Sequence, residues 1–143
     1  MKYKDRLTYL NIILPFVLGS LVYICWRAPS LRMFDWIDQV GLGNHCDELR
    51  DFSSVYLAGL PDWFLYSFPD GAWVWSLTAI YIHIWKYSLG REAYFWISSG
   101  LIIGLSLEFG QYFNIISGTF DVLDLLVMIL SFAVASITQW RLS

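Results

Sequence analysis

The sequence predicts an all-α membrane protein with four transmembrane helices and a small extracytoplasmic subdomain of short helices and loops between the first two. Three observations lead there. Of its 143 residues, 57% are hydrophobic and only 15% charged, with a mean hydropathy of +0.53, more apolar surface than a water-soluble domain of this size hides. Long apolar runs recur along the chain, the first with 18 residues and no charge. Lysine and arginine alternate from one set of connecting segments to the next, as the positive-inside rule requires. The chain reads as one membrane domain, 1–143.

The first span is Tyr9–Trp26, 18 residues without a charge, with Pro15 inside it and Arg27 closing it. Lys2, Lys4 and Arg6 precede it and no small-residue cleavage site follows, so it reads as a retained helix. Residues 28–69 form the outer segment. A surface helix is expected from Ser30, with Leu31, Phe34 and Ile37 or Trp36 on one side and Arg32, Asp35 and Asp38 on the other. Gly41–Asn44 should break it, and Asp51–Leu60 suits a further short amphipathic helix. The second span is expected at 70–88, short unless Lys86 snorkels. The third is expected at 93–116, with Ser98, Ser99, Gly100, Gly104, Ser106 and Gly110 letting another backbone approach closely. The fourth is expected at 121–140, closed by Arg141.

Lysine and arginine number three before the first span, two in the 86–92 turn and one at the C-terminus, against none in the 117–120 turn. Both termini are therefore expected in the cytoplasm and segment 28–69 outside, which in a bacterial host is the periplasm or extracellular space. Residues 27–70 carry three arginines, Arg27, Arg32 and Arg50, but seven acids.

The stretch Ser106–Asp124 carries the unusual chemistry. Glu108 and Gln111 are three residues apart, hence on one face of the third span, with Tyr112 beside them. If that helix runs to Ile116, Glu108 lies roughly 12 Å below its end, where a carboxylate is costly and by default functional. Asp121 and Asp124 share the same spacing at the start of the fourth span, where Asp121 also suits an N-cap and Asp124 complements the positive helix end. Asp70, between Pro69 and Gly71, has the same choice at the second span. Glu108, Gln111, Asp124, Asp121 and Asp70 are the candidate ligand-binding residues, all expected on the outer side. A patch of four carboxylates attracts a cation, yet no spacing defines a metal site.

Other chemistry-bearing residues read as structural. His45-Cys46-Asp47-Glu48 is expected as a solvated loop, His83 as a histidine bonded to a neighbouring helix, and Cys25 as a small buried hydrophobe. The serines have no His–Asp partners, which leaves no catalytic residue to name and no cofactor implied. The net charge of −3 argues against nucleic acid as a direct partner.

Glu108-Phe-Gly-Gln111 followed by Asp121-Val-Leu-Asp124 resembles the VanZ-like family of small bacterial membrane proteins. There, a helix carrying E-x-x-Q is followed after a short turn by a helix opening with D-x-x-D. Asp70 matches the acidic residue at the start of an earlier helix, and the likeness covers residues 70–140. Ser117-Gly-Thr-Phe stands where that family has an arginine in the turn. The resemblance implies a membrane-integral cell-envelope role, as in an accessory determinant of glycopeptide resistance. The leading expectation is a non-enzymatic envelope protein with an outward-facing acidic pocket that binds or senses a ligand. The alternative is a structural or effector subunit of an oligomeric membrane assembly, in stress response or antiviral defence, conducting cations if copies surround an axis. An enzyme acting on an envelope lipid ranks last. Expected partners are membrane lipid and a second copy or a partner membrane or cytoplasmic protein.

Overall fold

A computed structural model describes residues 3–56 and 59–142, and their regular structure is entirely helical. The elements are α1 (Tyr3–Trp26), α2 (Arg32–Gln39), α3 (Gly43–Tyr56), α4 (Asp62–Tyr66), α5 (Phe68–Trp85), α6 (Arg91–Tyr112) and α7 (Val122–Leu142).

Three of these helices are long and apolar enough to cross a membrane: α1 from Lys4, α6 and α7. Their outward faces carry large exposed apolar side chains, including Leu10, Ile13 and Phe16 on α1, Ile102 on α6, and Leu126, Leu130 and Ile137 on α7. Contiguous apolar surface of this kind calls for a lipid environment.

The expected second span corresponds to α5, which is not one of these three helices. It is the hub of the bundle and packs on α1, α6 and α7. Its buried residues include Gly71, Ala72, Ser76, Thr78 and Ala79. Small and weakly polar side chains suit a helix that faces other helices, where close backbone approach counts for more than hydrophobicity. A Cβ on Gly71 would fall 2.5 Å from Val127 Cγ1 and 2.7 Å from Ser131 Oγ, so α5 meets α7 through the absence of a side chain.

Several expected boundaries shift. The helix expected over 93–116 ends at Tyr112. Asn114 adopts a left-handed conformation (φ 57°), and the N–H groups of Ile115 and Ile116 turn back to the Gly110 carbonyl at 2.8 and 3.1 Å. Asparagine tolerates that conformation, whereas the following isoleucines read as a continuing apolar helix. α5 begins at Phe68 after Ser67, which places Asp70 inside the first turn and not at the cap. The first surface helix starts at Arg32 after Leu31, not from Ser30, and buries Phe34 as its pattern required. Gly41 (φ 79°) breaks it, but α3 resumes at Gly43, so His45–Glu48 lie on a helix and not on a loop. Of the helix expected over Asp51–Leu60, the part up to Tyr56 belongs to α3, and residues 57–58 lie outside the described residues.

Arg50 ties this region to the bundle. Its guanidinium donates to the carbonyls of Ile24 and Arg27, the latter at 3.0 Å, and lies over the Phe34 ring at 4.9 Å. A cation on the last carbonyls of α1 satisfies acceptors the helix leaves open and complements its negative end. At the opposite end, Asn11 links three helices: it donates to Gln139 at 2.8 Å and accepts from Trp75 Nε1 at 3.1 Å. His83 lies nearby against the Tyr9 ring at 5.7 Å, but its Nδ1 has no hydrogen-bond partner, so the expected bond to a neighbouring helix is replaced by a ring contact. Cys46, not Cys25, is the buried cysteine.

Candidate functional site

Helices α1 and α5 are antiparallel, since Arg27 meets Asp70 at one end and Tyr9 meets His83 at the other. The C-terminal ends of α1 and α6 therefore gather with the N-terminal ends of α5 and α7. There they enclose a cavity of about 360 Å³. Its polar lining is Arg27, Asp70, Glu108, Gln111 and Asp124, and its apolar walls include Val74, Leu77, Ile103, Leu107 and Met128. Four of the five residues expected to bind a ligand thus share one cavity. Asp121 does not join them.

Asp121 is exposed and performs the capping role open to it in the sequence: its Oδ1 accepts from the Leu123 N–H at 2.8 Å. Glu108 is buried, and its Oε2 accepts from the Asp121 N–H at 3.2 Å. It therefore also steadies the start of α7, from the neighbouring helix. Because α6 stops at Tyr112, Glu108 lies only four residues, about 6 Å, from the helix end, and not the deeper position its sequence suggested. Part of what singled it out is thereby explained by helix-end hydrogen bonding.

Asp124 is the residue that local structure accounts for least. It is 9% exposed, and its Oδ1 is buried with no hydrogen-bond partner among the described residues. A buried acceptor left unpaired costs about 1–3 kcal/mol, more when charged. Gln111 is half-buried, and the 113–121 turn closes over it. Gly118 (φ 147°) lies against its amide so closely that a Cβ would fall 2.7 Å from Gln111 Cδ.

Arg27 is the residue the sequence reading left out of the site. It had been assigned only the role of closing the first span. Its Nη2 lies 3.4 Å from Asp70 Oδ2 and 3.1 Å from the Tyr66 carbonyl, and its guanidinium lies 5.2 Å from the Tyr23 ring centroid and 5.6 Å from that of Tyr66. The signal was available: in an antiparallel pair, the last residue of one span and the first acid of the next share a level. Asp70 is thus an ion-pair partner and not a cap. Arg27 Nε, by contrast, is buried without a hydrogen-bond partner.

Three carboxylates face one guanidinium here, an excess of acid. Among the described residues no group of three or more His, Cys, Asp or Glu is placed to hold a metal ion. Glu108 is committed to a backbone N–H and Asp70 to Arg27, so the acids surround the space without converging on a point. The His45–Glu48 run likewise gives only an exposed contact between His45 and Glu48 at 3.8 Å.

No family model, curated protein or solved structure matches the chain, and the function is accordingly argued from the chemistry of this cavity.

Proposed function

We propose that the protein is a multi-pass protein of a bacterial inner membrane whose outward-facing cavity binds a ligand bearing a cationic hydrogen-bond donor. In this reading α5 is the second of four spans, covered over much of its surface by its neighbours. Both termini face the cytoplasm, and α2–α4 form the extracytoplasmic cover. The likeness of the Glu108/Gln111 and Asp121/Asp124 pairs to the VanZ-like family supports an envelope role and is part of the same proposal.

The observation that carries the reading is the buried carboxylate of Asp124 in the cavity lining, part of an excess of three carboxylates over one guanidinium. A carboxylate there gains most from a donor that is itself positively charged. The binding role is preferred to an assembly subunit because the glycines of α6 pack within the chain. Gly100 meets Leu77, Gly104 meets Met128 and Gly110 meets Ile116.

The test is heat unfolding of the purified protein in detergent with ethanolamine as the amine probe. Ligand that binds only the folded state raises the midpoint. The midpoint is expected to rise for the wild type and not for Asp124→Asn. No rise for the wild type, or an equal rise for the variant, rejects the pocket as a cation-binding site.

A further inference from the structure

We infer that the ligand is a membrane lipid with a zwitterionic headgroup, a phosphodiester next to a primary ammonium, which enters sideways between α1 and α6. This rests on the binding role proposed above and specifies its ligand class.

The first support is the shape of the cavity. Helices α1 and α6 both pack on α5, but among the described residues they do not pack on each other. Tyr23 and Arg27 from α1 nevertheless line the same cavity as Ile103 and Leu107 from α6, with Trp73 and Leu77 of α5 as its floor. The cavity is therefore a cleft with a lateral mouth. Ile103, at 58% exposed, stands at that mouth, on a helix whose outward face is apolar.

The second support is the division of the cleft. Its polar end holds Arg27, Asp70, Glu108 and Asp124. Its apolar part extends along α6 to Gly100, eight residues from Glu108, or about 12 Å. A polar pocket opening into an apolar track of that length matches a headgroup followed by the start of its acyl chains. A small soluble cation would leave the track unused.

The third support is charge. Asp70, Glu108 and Asp124 share the cleft lining with the single guanidinium of Arg27, so its polar end carries an excess of acid. A primary ammonium offsets that excess and donates charge-assisted hydrogen bonds to carboxylates, while the phosphodiester beside it complements Arg27. A trimethylammonium head has no N–H to give Asp124, and a glycerol head brings no positive charge.

The experiment is native mass spectrometry of the full chain released from nanodiscs containing equal amounts of phosphatidylethanolamine, phosphatidylcholine and phosphatidylglycerol. Retention of phosphatidylethanolamine is expected to exceed that of either competitor about tenfold, a difference of about 1.4 kcal/mol. Asp124→Asn should abolish the preference over phosphatidylglycerol, and Ile103→Trp, a change at an exposed position, should reduce retention of all three lipids. Free ethanolamine in the unfolding assay separates the two readings. If ethanolamine stabilises the wild type but not Asp124→Asn, while lipid retention is unselective or unaffected by Ile103→Trp, the lipid assignment is overturned and the cation pocket stands. If ethanolamine has no effect and retention is unselective, both are overturned.

Discussion

At the scale of single residues, the site is a set of polar groups satisfied to different degrees. Asp121 Oδ1 and Glu108 Oε2 each accept an N–H at the start of α7, and Asp70 Oδ2 meets Arg27. Only Asp124 combines burial, a place on the cavity wall and an unpartnered oxygen. The roles should separate by mutation. Glu108→Gln keeps an acceptor for the Asp121 N–H and should lower stability by no more than about 1 kcal/mol, whereas Glu108→Leu removes the acceptor and should cost about 1–3 kcal/mol. Denaturant titration in detergent compares the two; equal losses would mean that the hydrogen bond to α7 is not what Glu108 supplies. For Arg27 and Asp70, each about a quarter exposed and 3.4 Å apart, a double-mutant cycle with Arg27→Gln and Asp70→Asn should return a coupling no larger than about 1 kcal/mol. A much larger coupling would indicate a pair shielded from solvent, contrary to its position.

At the scale of the elements, α5 governs the bundle. Gly71→Ala should destabilise the protein by about 1–3 kcal/mol, because the added carbon meets Val127 and Ser131 and the helices must part to admit it. Asn11→Leu should cost about 1–2 kcal/mol by breaking the link among α1, α5 and α7, with little effect on the distant cavity. Loss of ligand response in Asn11→Leu at temperatures where it is folded would contradict that separation.

The elements also show what was legible in the sequence. Length and uncharged runs gave all four long helices, and i, i+3 spacing gave three of the cavity residues, Glu108, Gln111 and Asp124, because periodicity carries that information locally; Asp70 stood out as an acid at the start of the second span. The end of α6 was missed because one asparagine in a left-handed conformation stops a helix that its apolar pattern would continue. The polar run His45–Glu48 was misread because a helix lying on other helices can be polar over several residues. Arg27 and Arg50 were missed as site and capping residues because their partners, Asp70 and the carbonyls of Ile24 and Arg27, are brought to them only by the packing of distant segments.

At the scale of the whole molecule, the account requires the cavity end to face outward and the 86–92 turn to face the cytoplasm. In a background lacking Cys25 and Cys46, Ile115→Cys and Tyr87→Cys are suitable reporters, since the native side chains are 79% and 86% exposed. A membrane-impermeant maleimide should label position 115 in intact spheroplasts and position 87 only after lysis. The reverse pattern would invert the topology and place the cavity on the cytoplasmic side.

The central claim is that buried Asp124 holds a cationic donor in the cavity. Equilibrium binding of ethanolamine, read from tryptophan emission because Trp73 lines the same cavity, tests it most directly. The account predicts saturable binding to the wild type and at least about tenfold weaker binding to Asp124→Asn, about 1.4 kcal/mol. Equal affinities for the two proteins would contradict it.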